Sequence, residues 1–557
     1  MKLSTWTQWL LGIAALQLPF ACSSDKPGGN PEAVSGSANT GGASGSRSVT
    51  GGANRAGGSR ASGGMGMAAP QCKKLAEVDE PDGEFIDANC DGIDGDKLKA
   101  IFVSPAGADT ASGALSAPVK TIGKGSALAI AAKKDVYVCQ GDYAENLHLE
   151  GNIDLRLFGG YACGDWKRSN QRPLLKPKTG VPLRIRDVLK EVVVDRLEVQ
   201  ASDATAASGS SVAAWISNSK QVTLRQVKLQ AGAGAPGENG VGSPAVLAPP
   251  PKAPDGESRP DVSCSCGTTD ARCFAMLGFT FASESCVTPT GTQMLYTGRG
   301  GDGANLKSCS FGSTSLAGGM GNPGLADDGA NGQPGTDGAA GVGIGAFTGT
   351  EGYIASNPGT PGALGLPGKS GRGGTGGPSG GIKGSHGFES SWFMGGRGGY
   401  GGLPGCGGLG SGNGSAGGAS IGLLSWESKV VLEFSNIVTH DGGKGGDGAP
   451  GALGQPGGQP GAGGLYGALA GQKGGDGGKG GDGGPGGGGP ALGIVAVGVA
   501  PDFQSVLYDV RRGGLGGKSV PKSVVPDADA GVAADYWPVN IRPEVNGSAG
   551  AAGQGGI

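Results

Sequence analysis

Glycine recurs at every third position at 442, 445, 448, 451, 454 and 457, and again at 471, 474, 477, 480, 483, 486 and 489. A helix groups residues at a period of 3.6 and a strand at 2, so neither accommodates this spacing. Three residues per turn is the repeat of polyproline II, an extended helix without internal hydrogen bonds. The chain holds 121 glycines and 35 prolines in 557 residues, a content at which low complexity is the first expectation. Glycine also loses the most conformational freedom on ordering. The runs are therefore expected to be mobile loops hung on a scaffold elsewhere in the chain. The ordered alternative is polyproline II segments of one chain lying side by side, with bare glycine faces allowing close approach. With 44 Lys and Arg against 47 Asp and Glu, the net charge of −3 gives no support to nucleic-acid binding.

The scaffold repeats. Segments 181–202, 211–232, 420–442 and 491–514 each carry an apolar strand, a polar turn, a second alternating strand and then a polar or glycine turn. Units of this size cannot bury an apolar face alone and must stack on one another. Alternation points Val222, Leu224, Val227 and Leu229 inward, and Arg225 and Lys228 toward water. The long glycine segments, about 231–418 and 442–490, leave from one point of the repeat, as insertions into stacked units do. The expected class is all-β, a right-handed parallel β-helix with large glycine-rich insertions; a β-sandwich is the alternative.

Residues 101–149 carry a short strand, a turn, a helical stretch near 122–132 and the element Val136, Tyr137, Val138, Gly141, Tyr143, Glu145. This resembles the opening of pectin-lyase-like right-handed β-helices, in which the helix caps the open end. Phe158, Gly159, Gly160, Tyr161 and Trp166 resemble a rung of the same group. The glycine runs resemble PGRS-type repeats of bacterial surface proteins in composition. A collagen-like trimer is disfavoured by short runs, a phase break at Pro460 and scarce proline.

The N-terminus reads as a sorting signal: Lys2, an apolar run to Phe20, then Ala21 before Cys22. It resembles a bacterial lipobox, although Pro19 stands where leucine is usual. The resemblance implies a lipidated Cys22, with Ser23 and Ser24 resembling an outer-membrane address. Removing Cys22 leaves ten cysteines, an even set suited to disulfides in an oxidising compartment: Cys72, Cys90, Cys139, Cys163, Cys264, Cys266, Cys273, Cys286, Cys309 and Cys406. Cys72 and Cys90 bracket one small segment, and Cys139 and Cys163 end successive apolar segments.

Between Cys72 and the first strand lies DEPDGEFIDANCDGIDGD. Asp87, Asn89 and Asp91 alternate before Gly92, and Asp94 and Asp96 extend the oxygen set. Such spacing wraps a structural Ca2+, although the bidentate glutamate of an EF-hand is missing. The loop resembles the short metal-binding motif near the N-terminus of many myxobacterial surface proteins.

The expected boundaries are a signal at 1–21, a flexible tether at 22–70, the cysteine-rich acidic loop at 71–100 and first rungs at 101–232. A glycine-rich insert at 233–418, a rung at 419–441, a second insert at 442–490, a last rung at 491–520 and a tail at 521–557 follow.

His148, His386 and His440 sit in no catalytic motif, and no nucleophile elbow or phosphate loop occurs. The resemblance implies an enzymatic alternative, a polysaccharide lyase or glycosidase with clustered carboxylates on an outer face. Asp187, Glu191, Asp195 and Arg196 are the residues to inspect; regular alternation sends Asp195 and Arg196 to opposite faces. The favoured expectation is a lipid-anchored protein of the outer membrane or cell surface with a structural or adhesive role and glycans as possible partners.

Overall fold

The computed structural model describes residues 72–244, 248–257, 282–288, 291–303, 329–378, 380–383, 389–393, 395–521 and 523–542. The signal, the tether and Cys22 lie outside these residues, as do Cys264, Cys266, Cys273, Cys309 and His386.

The first elements are β1 (Ala100–Val103), α1 (Ile122–Ala132), β2 (Asp135–Cys139), β3 (Asp142–Tyr143), β4 (Leu147–Glu150), β5 (Leu155–Tyr161) and β6 (Leu174–Leu175). Two complete circuits follow: β7 (Leu183–Arg186), β8 (Glu191–Asp195) and β9 (Glu198–Gln200), then β10 (Ser211–Ser217), β11 (Gln221–Arg225) and β12 (Lys228–Gln230). Hairpins interrupt the first glycine segment as β13 (Ser283–Thr288) with β14 (Gly291–Tyr296), β15 (Ala346–Thr348) with β16 (Gly352–Ile354), and β17 (Gly380–Lys383) with β18 (Glu389–Phe393). The circuits resume as β19 (Ser420–Trp426), β20 (Val430–Glu433) and β21 (Asn436–Val438), then β22 (Ala491–Val497), β23 (Asp502–Gln504), β24 (Leu507–Asp509) and β25 (Ala533–Val539).

These strands make three parallel sheets. The first runs β4-β7-β10-β19-β22-β25, the second β1-β2-β5-β8-β11-β20-β23 and the third β3-β6-β9-β12-β21-β24. Every circuit visits them in the same order, so like side chains stack. Leu157, Val194, Leu224 and Leu432 form one ladder, and Leu175, Val199, Leu229 and Ile437 another. All eight are inaccessible to solvent, in one core fed by the three sheets. Val222 and Val227 join that core, while Arg225 and Lys228 keep partial exposure.

Single residues turn two of the corners. Asp187, Asn218 and Glu427 lie between first- and second-sheet strands, and Arg196, Gln226, Phe434 and Ser505 between second- and third-sheet strands, all with φ between 46° and 56°. The ladder continues through them: Asn218 N–H donates to Trp426 O, and Gln226 N–H to Glu433 O. Left-handed non-glycine residues are uncommon, and here the stacking of successive circuits holds them.

α1 covers one end. Thr121 caps it by accepting from Lys124 N–H at 3.2 Å, and the Glu145 carboxylate accepts from the Ile122 and Gly123 amides at 2.6 and 3.0 Å. A negative charge at that terminus complements the helix dipole.

The third corner carries the glycine. Chain leaves after β12, β21 and β24 and returns at β19, β22 and β25. The described runs are not the mobile loops expected of their composition. They lie against one another, bonded every third residue. Gly359, Gly362, Gly365, Gly368, Gly371, Gly374 and Gly377 donate to the carbonyls of Gly414, Ser411, Gly408, Gly405, Gly402, Gly399 and Gly396 at 2.8–3.0 Å. Gly474, Gly477, Gly480, Gly483, Gly486 and Gly489 donate to Gly458, Gln455, Ala452, Ala449, Gly446 and Gly443 at 2.8–3.1 Å. The neighbouring Gly475, Gly478, Gly481, Gly484 and Gly487 donate instead to Lys369, Leu366, Ala363, Thr360 and Asn357. One run thus serves two neighbours with alternate amides, as a three-residue turn permits. A Cβ on Gly474 would lie 2.0 Å from Leu403 O, and one on Gly477 1.9 Å from Cys406 O, so nothing but glycine fits there.

A second device recurs. The pattern Lys/Arg-x-x-Asp-Gly occurs at 252–256, 299–303, 444–448, 473–477 and 479–483. In each, the cation pairs with the aspartate three residues on, at 2.5–2.9 Å. With three residues per turn, i and i+3 lie one above the other. The aspartates also reach a neighbouring run: Asp476 accepts from Gly457 N–H at 2.8 Å, Asp482 from Gly451 N–H at 2.9 Å and Asp447 from Lys518 N–H at 2.7 Å. Asn239, Asn331 and Asp337 return the contact by accepting from the amides of Asp447, Asp476 and Asp482.

The expected tail is corrected too. Its segment Ala533–Val539 is β25, paired in parallel with β22, so the first sheet gains a strand from within the tail. Pro538 obscures the alternation there, and an edge strand tolerates proline.

Candidate functional site

Asp195 ends β8, and the alternation rule fails at that point. Arg196 takes φ 54°, which brings its side chain onto the same side as Asp195, and Arg196 Nη1 donates to Asp195 Oδ1 at 2.9 Å. Arg168 Nη2 and Arg225 Nε close on the same carboxylate, so three guanidiniums surround one fully buried aspartate. Arg168 also donates to Asp94 Oδ2 at 3.1 Å and to the Asp82 carbonyl at 2.9 Å. Phe85 lies against Arg196, 4.7 Å from guanidinium carbon to ring centroid. This cluster pins the N-terminal acidic loop to the second sheet. Burial pushes the Asp94 carboxyl up to about 6, against the pull of Arg168, and burial draws Arg196 down despite Asp195. A carboxylate held by three arginines and closed off from solvent has no open face to offer a substrate.

Asp187 and Glu191 do not join it. Asp187 is exposed and accepts from Asn218 Nδ2 at 3.1 Å; Glu191 is exposed and accepts from Gln221 Nε2 at 3.0 Å. His148 and His440 lie on separate, exposed parts of the chain.

The acidic loop closes on itself. Cys72 and Cys90 are joined. Asp87 accepts from the amides of Asp91 and Gly92 at 3.0 and 2.7 Å, Asp91 from those of Ile93 and Lys97 at 3.2 and 2.9 Å, and Asp96 from that of Leu98 at 2.9 Å. Asn89 Oδ1 accepts from Asp91 N–H at 2.8 Å and its Nδ2 donates to Gly95 O at 3.2 Å. The oxygens chosen for calcium are therefore turned toward backbone amides. Among the described residues, no three His, Cys, Asp or Glu side chains are grouped as a metal site.

Two further disulfides tie separate parts of the chain. Cys139 bonds Cys163, and Cys286 on β13 bonds Cys406 in the run 395–418. No spacing rule exposes the second, because 120 residues separate its partners.

The outer face of the first sheet changes character along its length. On β4 and β7 it carries His148, Glu150, Arg184 and Arg186. From β10 onward the same ladder reads Trp215, Leu424, Val495 and Trp537. Arg184 sits over the Trp215 ring at 4.2 Å, and Tyr353 and Phe347 of the β15–β16 hairpin pack on the apolar part. A Cβ at Gly352 would touch Trp215 and Leu424, so the hairpin backbone lies directly on the sheet. Sequence reading missed this cover, because the hairpin is short and set in glycine-rich text.

No family profile, curated protein or solved structure shows significant similarity to this chain. Among the described residues no helix is long and apolar enough to cross a membrane.

Proposed function

We propose that the three parallel sheets are the walls of a right-handed parallel β-helix, and that the chain is a non-enzymatic surface protein with a structural or adhesive role and glycans as its partners. In this reading Cys22 is lipidated and anchors the chain at the outer membrane, and residues 22–70 are the tether. The repeated order in which each circuit visits the sheets supports the helical architecture. The observation that carries the role is the state of Asp195: the candidate acid with the most basic groups around it is fully buried and clamped by three arginines, while the exposed Asp187 pairs with Arg186 alone among the described residues. Lyase and glycosidase chemistry needs an accessible carboxylate whose proton affinity suits transfer. A broad array of hydrogen-bonded runs offers a stiff surface instead, which lowers the ordering cost of binding a polymer.

The test is incubation of the secreted chain with insoluble polysaccharides. Protein in the pellet without new reducing ends or unsaturated sugars in the supernatant is the expected result. Sugar release that disappears with an Asp187→Asn or Glu191→Gln variant would overturn the non-enzymatic reading in favour of a lyase or hydrolase.

A further inference from the structure

A cavity of about 680 Å³ opens between β14 with the residues after it, the run 366–370 and Pro404. That volume lies in the range of small-molecule sites. Three stretches distant in sequence build it, and each is fixed. Gly368 N–H donates to Gly405 O at 2.9 Å and Lys369 N–H to Ala330 O at 2.8 Å, which hold one wall to the glycine array. The Cys286–Cys406 disulfide ties the β13–β14 hairpin to the same array. Gln455 reinforces that tie by donating to Glu284 Oε1 at 2.9 Å. Walls set this firmly can hold a ligand in one orientation.

The lining has one sign of charge. Arg299 and Lys369 are its ionised residues, and no carboxylate joins them among the described lining residues. Arg299 is paired with Asp302 at 2.7 Å. Lys369 is exposed at the rim, a cation able to meet an anion. Tyr296 and Leu366 remain 55% and 43% exposed, so a phenol ring and an aliphatic side chain are open to a ligand. Thr297, in the wall, keeps a buried hydroxyl oxygen with no hydrogen-bond partner. Native proteins seldom leave such a group unsatisfied without a reason.

We propose that this cavity binds an acidic sugar, a hexuronate unit. The apolar C–H face of the ring would lie on Tyr296, its hydroxyls would meet the polar wall and its carboxylate would pair with Lys369. Aromatic rings suit one apolar and one wet face, and a charge-assisted contact at the rim supplies the selectivity. This deepens the glycan-binding reading above and rests on it.

The test is saturation-transfer NMR on the intact secreted chain, with methyl glucuronide, methyl glucoside and inorganic phosphate as probes. Saturable binding of the glucuronide is expected. Affinity should fall at least tenfold for the glucoside and for Lys369→Ala, recover with Lys369→Arg, and fall again for Tyr296→Ala, all at unchanged melting temperature. No glucuronide binding, or equal binding by wild type, Lys369→Ala and Tyr296→Ala, would overturn the proposal. Phosphate competing as well as glucuronide would overturn the sugar assignment. Polysaccharide capture that survives both variants would remove the cavity and leave the adhesive reading standing; glucuronide binding without polysaccharide capture would do the reverse.

Discussion

At the residue scale the glycine array makes a sharp demand. Gly480 donates to Ala452 O, and a Cβ there would stand 2.1 Å from Leu409 O. Backbone cannot retreat as a flexible side chain would, so Gly480→Ala should cost at least about 1–3 kcal/mol, as overpacking does. Gly242, whose nearest neighbour to an added Cβ is 3.8 Å away, is the control, and Gly242→Ala should leave stability unchanged. Thermal unfolding of the two variants decides the matter. Asp94 makes a second demand. Its folded pKa of about 6 exceeds the ordinary 3.8, so between these values the folded chain holds more protons than the unfolded one. Stability from this group is present below about pH 4 and is lost as pH rises through 6. Each tenfold change in proton affinity between the two states corresponds to about 1.4 kcal/mol, so the stability of Asp94→Asn relative to wild type should rise by about 2 kcal/mol between pH 4 and 7. A pH-independent difference in denaturant titrations would contradict the assignment. At this scale the sequence was legible where alternation held: Val222, Leu224, Val227 and Leu229 were expected inward and are fully buried. It was illegible at Asp195 and Arg196, because a left-handed corner residue reverses the side of every side chain after it and carries no fixed residue type.

At the element scale the acidic loop can be tested directly. Its carboxylates already accept from backbone amides, and the Cys72–Cys90 bond closes it. Each carboxylate keeps further lone pairs for a cation, so if Asp87, Asn89, Asp91, Asp94 and Asp96 hold a structural Ca2+, EGTA is expected to lower the melting temperature by many degrees. A shift of no more than a degree or two would contradict the ion. Strands and α1 were legible from apolar period and caps; Thr121 before Ile122 is an ordinary N-cap signal. The Lys/Arg-x-x-Asp-Gly clips were present in the text but unread. Their meaning depends on a three-residue turn that propensity scales for helix and strand do not contain. β25 was missed because Pro538 and the exposed Ala533 weaken a pattern that only pairing with β22 completes.

At the scale of the whole molecule, two kinds of order share one chain. The sheets bury aliphatic ladders, so their stability follows apolar area. The glycine runs bury scattered side chains such as Tyr400, Leu403 and Gln455 and are held by backbone hydrogen bonds at every third residue. Composition predicts disorder for such text because glycine's entropy cost is large. The period of three offsets that expectation, since each glycine permits a neighbouring backbone within hydrogen-bond distance. The sheets fix where each run begins and ends, which spares part of the entropy of bringing runs together. Spacing in the sequence announced the polyproline II turn; it could not say which run pairs with which, because partners such as Gly359 and Gly414 are joined only by tertiary topology.

The most direct test is amide hydrogen exchange across 441–489 in the intact chain, followed by mass spectrometry. Protection of these glycine amides for hours, comparable with β10, β11 and β12, is the expected result. Exchange of the whole segment within seconds, with the strands still protected, would show the runs to be mobile loops and would contradict an ordered glycine array.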